Sequence, residues 1–331
     1  MIDSFKAIVA RAGDDGKTRA QLETLSVADL PDAAVLVDVE YSTVNYKDGM
    51  AVTGAVPICQ SLPMVCGIDL AGTVVESRSH AWSPGDRVLV NGYGLSERHW
   101  GGYSQRARVN PDFLVPIPEA FSSEQAMAIG TAGYTAMLAV NAIRDYGVKP
   151  DHGPVLVTGA AGGVGSFAVL LLSALGYEVA ASTGRPETAE YLRGLGAHSI
   201  VARADLARSA KPLEKEAWAA VVDSVGSTTL ATALAQLRYD GIVAACGLAA
   251  GADLPATVMP FLLRNVCLQG IDSVMAPMAL RERAWKDLAA LLDPTRIEPV
   301  YSVEPLAQVP ELCAAILAGR IRGRVVIDVN A

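Results

Sequence analysis

The strongest chemical signal in the sequence is the run Val155-Leu156-Val157-Thr158-Gly159-Ala160-Ala161-Gly162-Gly163-Val164-Gly165. An apolar stretch enters it, and a helix-forming stretch, Val164 to Leu175, leaves it. Glycine at such a turn tolerates unusual backbone angles. A helix start offers backbone N–H groups to a pyrophosphate, and the last glycine lets helix and strand pack closely. The chemistry implied is dinucleotide binding, with Gly159, Ala161, Gly162, Gly163 and Val164 around the phosphates. The glycine spacing is a variant, so the strand-loop-helix context carries the reading.

A second strand follows and ends Ala181-Ser182-Thr183-Gly184-Arg185. A binder of NADH usually places Asp or Glu there to hold the ribose 2′-hydroxyl. Here small hydroxyl residues, a glycine and an arginine stand instead. A guanidinium pairs bidentately with phosphate, whereas a carboxylate repels it. The expected cofactor is therefore NADPH, with Arg185 on the 2′-phosphate and Ser182, Thr183 and Gly184 beside it. Arg203, just past the short strand Ser199 to Ala202, is expected to bracket the adenine end. Glu187 sits in the first turn of the next helix, where acids are common anyway. Leu248 and Ser273 follow the fifth and sixth strands, at the carboxyl edge where ligands of open α/β sheets lie.

Certain elements must position these residues. The first third reads as short strands (Val35 to Val39, Gly67 to Val75, Arg87 to Val90) between Gly and Pro turns, an all-β, partly barrel-like unit. Ser123 to Val140 reads as a helix interrupted around Gly130 to Gly133. From Pro154 strands alternate with helices, including Pro186 to Leu195, which predicts an α/β fold with a doubly wound parallel sheet. The expected division is 1–122 with 275–331, and 123–274. The helix Leu280 to Leu292 and the closing strand Arg324 to Val329 are assigned to the first part.

Composition narrows the function classes. Hydrophobic residues make up 51% and charged residues 19% of the 331 residues, as in a packed globular protein. A net charge of -8 argues against nucleic acid or an anionic membrane as partner. The five cysteines are widely spaced with no CxxC pair, which fits a reducing compartment. No signal-like start is apparent, and Phe167 to Leu175 is too short to cross a bilayer. A cytoplasmic protein is expected.

Several further strings carry a family resemblance. They are Asn45-Tyr46-Lys47-Asp48, Gly67-Ile68-Asp69, His99-Trp100-Gly101-Gly102, Gly130-Thr131-Ala132-Gly133-Tyr134-Thr135-Ala136-Met137, Cys246-Gly247-Leu248-Ala249, Val258 to Asn265 and Asp272-Ser273-Val274-Met275. With the glycine loop they resemble medium-chain dehydrogenases/reductases nearly end to end, and most closely the acrylyl-CoA reductases. The resemblance implies a GroES-like, mostly-β catalytic domain split around a central Rossmann domain. It implies NADPH-dependent reduction of a short-chain 2-enoyl-CoA, acrylyl-CoA to propanoyl-CoA, by a homodimer.

The resemblance also places the Tyr46 loop at the nicotinamide and substrate cleft. The Tyr46 hydroxyl could donate to substrate or water, or its ring could pack on the nicotinamide; the sequence favours neither. Thr135, Leu262 and Arg324 join the cofactor contacts through the resemblance alone. Zinc-dependent members use a Cys, a His-Glu pair and a further ligand. The corresponding regions here read Asn45 to Asp48, Ile68-Asp69 and Gly130 to Gly133, so no metal is expected. Two alternatives share the scaffold: a quinone or general enone reductase, and an NADPH-binding protein without turnover. The basic residues that should line the path of coenzyme A are not marked by any sequence pattern.

Overall fold

The computed structural model describes residues 4–13 and 18–331. The chain forms two compact units. One holds the described residues up to Thr131 together with Ser273–Glu282 and Ile297–Ala331. The other holds Ala132–Asp272 and Arg283–Arg296.

The chain begins with β1 (Ser4–Ala12), β2 (Thr18–Ser26) and β3 (Val35–Thr43), then helix α1 (Tyr46–Thr53). Next come β4 (Met64–Val65), β5 (Asp69–Ser77), β6 (Arg87–Asn91), β7 (Arg106–Val109) and β8 (Val115–Pro116). Their apolar residues, among them Val35, Val37, Val39, Leu70, Val88 and Val90, are buried in one core. The close pairing of β3 with β5 depends on Gly72, where a Cβ would lie 2.0 Å from the Asp38 carbonyl oxygen. Helix α2 (Ser123–Tyr146) breaks at Gly130, whose φ of 49° and ψ of -158° are not helical. The sequence predicts that interruption. By length and hydropathy alone α2 could span a bilayer, unlike the shorter apolar stretch noted in the sequence. However, 89% of its apolar window is buried in protein, which makes it a core helix.

The second unit supplies β9 (Val155–Val157), α3 (Gly163–Ala174), β10 (Val179–Thr183), α4 (Ala189–Gly194), β11 (Ser199–Ala202) and α5 (Arg203–Leu206). It continues with β12 (Trp218–Asp223), α6 (Ser227–Ala235), β13 (Leu237–Ala245), α7 (Met259–Arg264) and β14 (Cys267–Gly270). These strands form one parallel sheet in the order β11-β10-β9-β12-β13-β14. The strand order reverses between β9 and β12, and ligands of doubly wound sheets bind at the carboxyl ends beside such a reversal. Helix α3 is buried almost all round, as expected for a helix against a sheet buried on both faces.

Two expectations change in detail. Residues 186–188 form a 3-10 turn before α4 instead of one continuous helix. The Thr188 hydroxyl donates to the Arg185 carbonyl (2.7 Å), and the Arg185 N–H donates to the Thr183 hydroxyl (3.1 Å), winding the chain tightly there. Helix α8 (Met278–Leu291) does not sit wholly with the first part. Residues 283–296, which include all of α9 (Pro294–Ile297) but its last residue, belong to the second unit. Arg283 pairs with Asp145 at 2.6 Å and Asn141 donates to Asp287 at 2.9 Å, tying α8 to α2.

The chain then returns with β15 (Tyr301–Pro305), α10 (Val309–Leu317) and β16 (Arg324–Asp328). Strand β16 pairs antiparallel with β3, completing the sheet β15-β16-β3-β5-β6-β8 to which β7 adds on β3. Helices α1 and α10 meet at Gly49, where a Cβ would come within 2.9 Å of the Ile316 side chain and 3.0 Å of the Cys313 carbonyl.

Gly72→Ala should cost about 1–3 kcal/mol of stability, because backbone cannot step aside for the new methyl as a flexible side chain would. Gly194→Ala, in a helix with no atom within 4 Å of the added carbon, should gain about 0.4–1 kcal/mol. Urea denaturation midpoints of the two variants check both signs.

Candidate active site

The glycine loop sits at the carboxyl end of β9. Gly159 has a φ of 59°, a region that favours glycine. At Gly165 a Cβ would lie 2.4 Å from the Gly159 carbonyl, so only glycine lets α3 start this close to the loop. Helix α3 opens at Gly163 with Gly162 as its N-cap. The first N–H groups of a helix have no intrahelical partner, so those of Gly163 and Val164, at the start of α3, have the geometry an anion site requires. The loop is braced from β12: the Thr158 hydroxyl donates to Asp223 at 2.6 Å, the Ser224 N–H to the Thr158 hydroxyl, and the Ser224 hydroxyl to the Thr158 carbonyl. Asp223 also receives the Gly226 N–H at 2.9 Å. The sequence reading did not single out Asp223, Ser224 or Gly226. The available signal was an acid ending the fourth strand, followed by glycine.

At the end of β10, Ser182 accepts the Ala160 N–H at 3.0 Å through its carbonyl, joining the two strand ends. The Thr183 hydroxyl is already used inside its own loop, with Thr188 and the Arg185 N–H. Arg185 reaches back over the crevice and donates to the Ala161 carbonyl at 3.2 Å. The exposed Arg203 guanidinium lies against Gly184, where a Cβ would come within 2.3 Å of it. Two arginines therefore flank Gly184, with no carboxylate bonded to Arg203 among the described residues. Leu248 is 61% exposed after β13, and its Cα lies 3.2 Å from where a Cβ on Gly226 would sit. Leu262 on α7 is 76% exposed, and Thr135 is buried in α2.

The remaining expected residues belong to the other unit. Tyr46 is the first residue of α1 and is 43% exposed. A capping box fixes that helix start. The Asp48 carboxylate accepts the Asn45 N–H (3.0 Å), the Asn45 side-chain amide (3.1 Å) and the Ile68 N–H (2.9 Å). Lys47 forms an ion pair with Glu97. Ser273 gives its carbonyl to Arg281 at 3.1 Å.

Arg324 needs correcting as a cofactor contact. It is buried and spends its guanidinium on the carbonyls of Ala128 and Val44, on the Asn45 amide oxygen and, at 2.7 Å, on the Thr43 hydroxyl. Its donors are directed into the protein, so it positions the Asn45 loop instead of meeting a ligand.

The three regions that hold zinc in metal-dependent relatives converge here on a different chemistry. Asp69, completely buried, accepts the amides of Asn45 (2.9 Å) and Asn91 (2.8 Å), the Thr131 N–H (2.9 Å) and the Thr131 hydroxyl. At Gly130 a Cβ would meet Arg324 Nη2 at 2.7 Å and Asp69 Oδ2 at 3.0 Å. A guanidinium and amide donors thus fill the space, and they would repel a dication. Zinc also prefers several thiolate or imidazole ligands, and no group of three His, Cys, Asp or Glu side chains is placed for a metal among the described residues. The residues present do not fit zinc.

Burial, with the Asp69 carboxylate beside it, pushes Asp48 up to about 7. An unfolded aspartate ionises near 3.9, so between those values the folded chain holds a proton the unfolded chain has lost. The stabilisation is complete below the unfolded value and is lost as pH rises through about 7. Thermal stability of the wild type should fall over that window, and Asp48→Asn should flatten the slope. An unchanged slope in melting curves from pH 4 to 8 would remove Asp48 as its source.

Comparison with known proteins fits this architecture. Residues 31–119 match the alcohol dehydrogenase GroES-like domain, and residues 163–292 match the family described as zinc-binding dehydrogenase. The acrylyl-CoA reductase AcuI of Ruegeria pomeroyi is 55% identical over 329 residues, covering 99% of this chain and 100% of the relative. The YhdH oxidoreductase of Salmonella enterica, solved in complex with NADP, superposes with a TM-score of 0.96 at 48% identity, covering 98% of this chain and 99% of that one. Bacillus subtilis YhfP, solved with NAD bound, gives 0.95 at 41% identity, covering 98% and 99%. The chain belongs to the medium-chain dehydrogenase/reductase superfamily, in the branch of the acrylyl-CoA reductase and quinone oxidoreductase-like proteins whose metal-ligand positions carry other residues.

Proposed function

We propose that this chain reduces the 2,3 double bond of acrylyl-CoA to give propanoyl-CoA, with NADPH as reductant and no metal. The observation that carries the reading is the 55% identity, over essentially the full length of both chains, with an acrylyl-CoA reductase. The crevice supports the cofactor choice. Gly159, Ala161, Gly162, Gly163 and Val164 would hold the pyrophosphate and Arg185 the 2′-phosphate, with Ser182, Thr183 and Gly184 beside it and Arg203 bracketing the adenine end. Leu248, Leu262, Thr135 and Ser273 complete the proposed contacts.

When bound, the nicotinamide supplies the hydride that adds to the β-carbon of the enoyl thioester. Negative charge then develops on the thioester oxygen, and donors aimed at that oxygen stabilise it. Tyr46 is the candidate donor. It is exposed at a helix start that Asn45 and Asp48 hold in place, and its hydroxyl has no partner among the described residues. A proton delivered to the α-carbon completes the reaction. The polarising role of a metal is not required, because conjugation already activates the β-carbon. We also read the protein as a homodimer, since the outer edge of β14 pairs with no strand among the described residues and exposed Tyr239, Val258 and Leu263 lie on neighbouring segments.

The test is NADPH oxidation by EDTA-treated protein with acrylyl-CoA, crotonyl-CoA or a simple quinone. Fast turnover with acrylyl-CoA is expected; preference for the quinone would overturn the substrate class. Tyr46→Phe should lower kcat if the hydroxyl donates, and unchanged turnover would leave the ring with a packing role.

Arg185→Ala should raise KM for NADPH by roughly tenfold or more, on the scale of a charged hydrogen bond, with little change for NADH. Equal losses with both cofactors would take Arg185 off the 2′-phosphate.

A further inference from the structure

The first unit contains a second buried polar platform, joined to the Asp69 cluster through Asn91, whose amide donates to Asp69 and whose carbonyl accepts from Arg281. Arg281 is fully buried, and its guanidinium donates to the carbonyls of Asn91, Ser273, Val274 (2.7 Å) and Ala276 (3.0 Å). It also stacks over the Tyr93 ring, 3.8 Å from the centroid, and Tyr93 stacks on Phe113. The Tyr93 N–H donates to the Val274 carbonyl at 3.0 Å. One buried cation therefore locks the segment 91–94 to the segment 273–276.

On this platform the chain makes a tight loop. The N–H groups of Glu97, Arg98 and His99 all donate to the Gly94 carbonyl, at 3.2, 2.9 and 3.1 Å. Gly94 has a φ of 79°, and a Cβ there would lie 2.9 Å from Arg98 Nε and 3.0 Å from Nη2. The glycine thus leaves the space against which the Arg98 guanidinium lies. Nη2 also contacts the Met275 sulfur at 3.6 Å. Arg98 is exposed and forms no ion pair among the described residues. Its sequence neighbour Glu97 is engaged by Lys47, the residue after Tyr46, which ties this loop to the start of α1.

An exposed guanidinium usually moves freely or pairs with a nearby acid. This one lies against Gly94 and the Met275 sulfur, without a counter-ion among the described residues, in a chain of net charge -8. A preorganised guanidinium fork suits bidentate phosphate recognition. From these contacts we infer that Arg98, on the platform fixed by Arg281, is an anchor for the phosphates of the coenzyme A substrate. The inference rests on the enoyl-CoA reading above and adds a residue for the part of the substrate remote from the double bond. The shared chemistry is a phosphate ester or anhydride, which coenzyme A carries in two places: its pyrophosphate and its 3′-phosphate. Remote binding energy of this kind favours the CoA thioester over a truncated one.

The experiment compares kcat/KM of wild type, Arg98→Ala and Arg98→Lys for three substrates: acrylyl-CoA, acrylyl-3′-dephospho-CoA and S-acrylyl-pantetheine. KM for NADPH is measured alongside. The wild type should prefer acrylyl-CoA over the pantetheine thioester, and Arg98→Ala should shrink that preference roughly tenfold, with Arg98→Lys between. Loss of the Arg98 effect with the dephospho substrate assigns the contact to the 3′-phosphate; its persistence assigns it to the pyrophosphate. An unaltered preference ratio in Arg98→Ala overturns the inference while leaving the enoyl-CoA reading intact. A parallel rise in KM for NADPH, with the ratio unaltered, would likewise overturn it by moving Arg98 to the cofactor. A wild type that reduces none of the three thioesters removes the enoyl-CoA reading and the inference together.

Discussion

A buried charge must be compensated, and in this protein that constraint organises the loop from Asn45 to Asp48. Asp48 and Asp69 are both without solvent contact. Ionised carboxylates in such a place are tolerated only when hydrogen-bonded and paired. The chain answers with Asn45, whose amide reaches both carboxylates, and with the Arg324 guanidinium, which holds the Asn45 oxygen. Burial pulls Arg324 down, and Asp69 and Asp48 oppose that pull. Because Asn45 caps α1, the electrostatic settlement of the core also fixes where Tyr46 begins its helix. Losing one member would leave a buried polar atom on each of its partners unsatisfied, which costs more than an ordinary surface hydrogen bond.

The dinucleotide crevice depends on a different constraint, close approach of backbone. Gly165 is required where α3 begins, Gly159 where the loop turns, and Gly247 where a Cβ would lie 2.5 Å from the Ser224 carbonyl. These contacts set the width between the ends of β9, β12 and β13. The polar clamp of Thr158, Asp223 and Ser224 then stiffens the width that the glycines allow. Glycine supplies the space, and the hydrogen bonds hold it.

The second unit was legible in the sequence because its signals are local. A strand, a glycine turn and a helix follow one another in the chain, and β11 ends where the sequence places it, at Ala202. The Arg185 argument likewise needs only the residues ending β10. What could not be read was long-range. Arg324 lies far along the chain from Thr43, Asn45 and Ala128, so no window of sequence reveals that its donors are already used. The resemblance suggested a cofactor contact, and only packing shows a buried brace. The split of α8 between the units depends on partners in α2 and was equally hidden. Asp69 stands where metal-dependent relatives carry a histidine-glutamate pair, but its four donors come from three separate segments.

This also accounts for how a scaffold known for zinc can carry chemistry that does not need it. Three segments still meet at one point, but the incoming charge is covalently part of the chain. Arg324 is a monocation with fixed donor directions, and here four of its five N–H groups are engaged, by Thr43, Val44, Asn45 and Ala128. It can brace a loop but has no open coordination position with which to polarise a carbonyl, as a catalytic zinc does. A saturated alcohol or ketone couple would lose its electrophilic assistance on such a scaffold. A conjugated thioester places its electrophilic carbon two bonds from the carbonyl carbon and spreads the developing charge as an enolate, for which ordinary hydrogen-bond donors suffice. The substitution at the former metal position and the proposed substrate class thus follow one electrostatic logic.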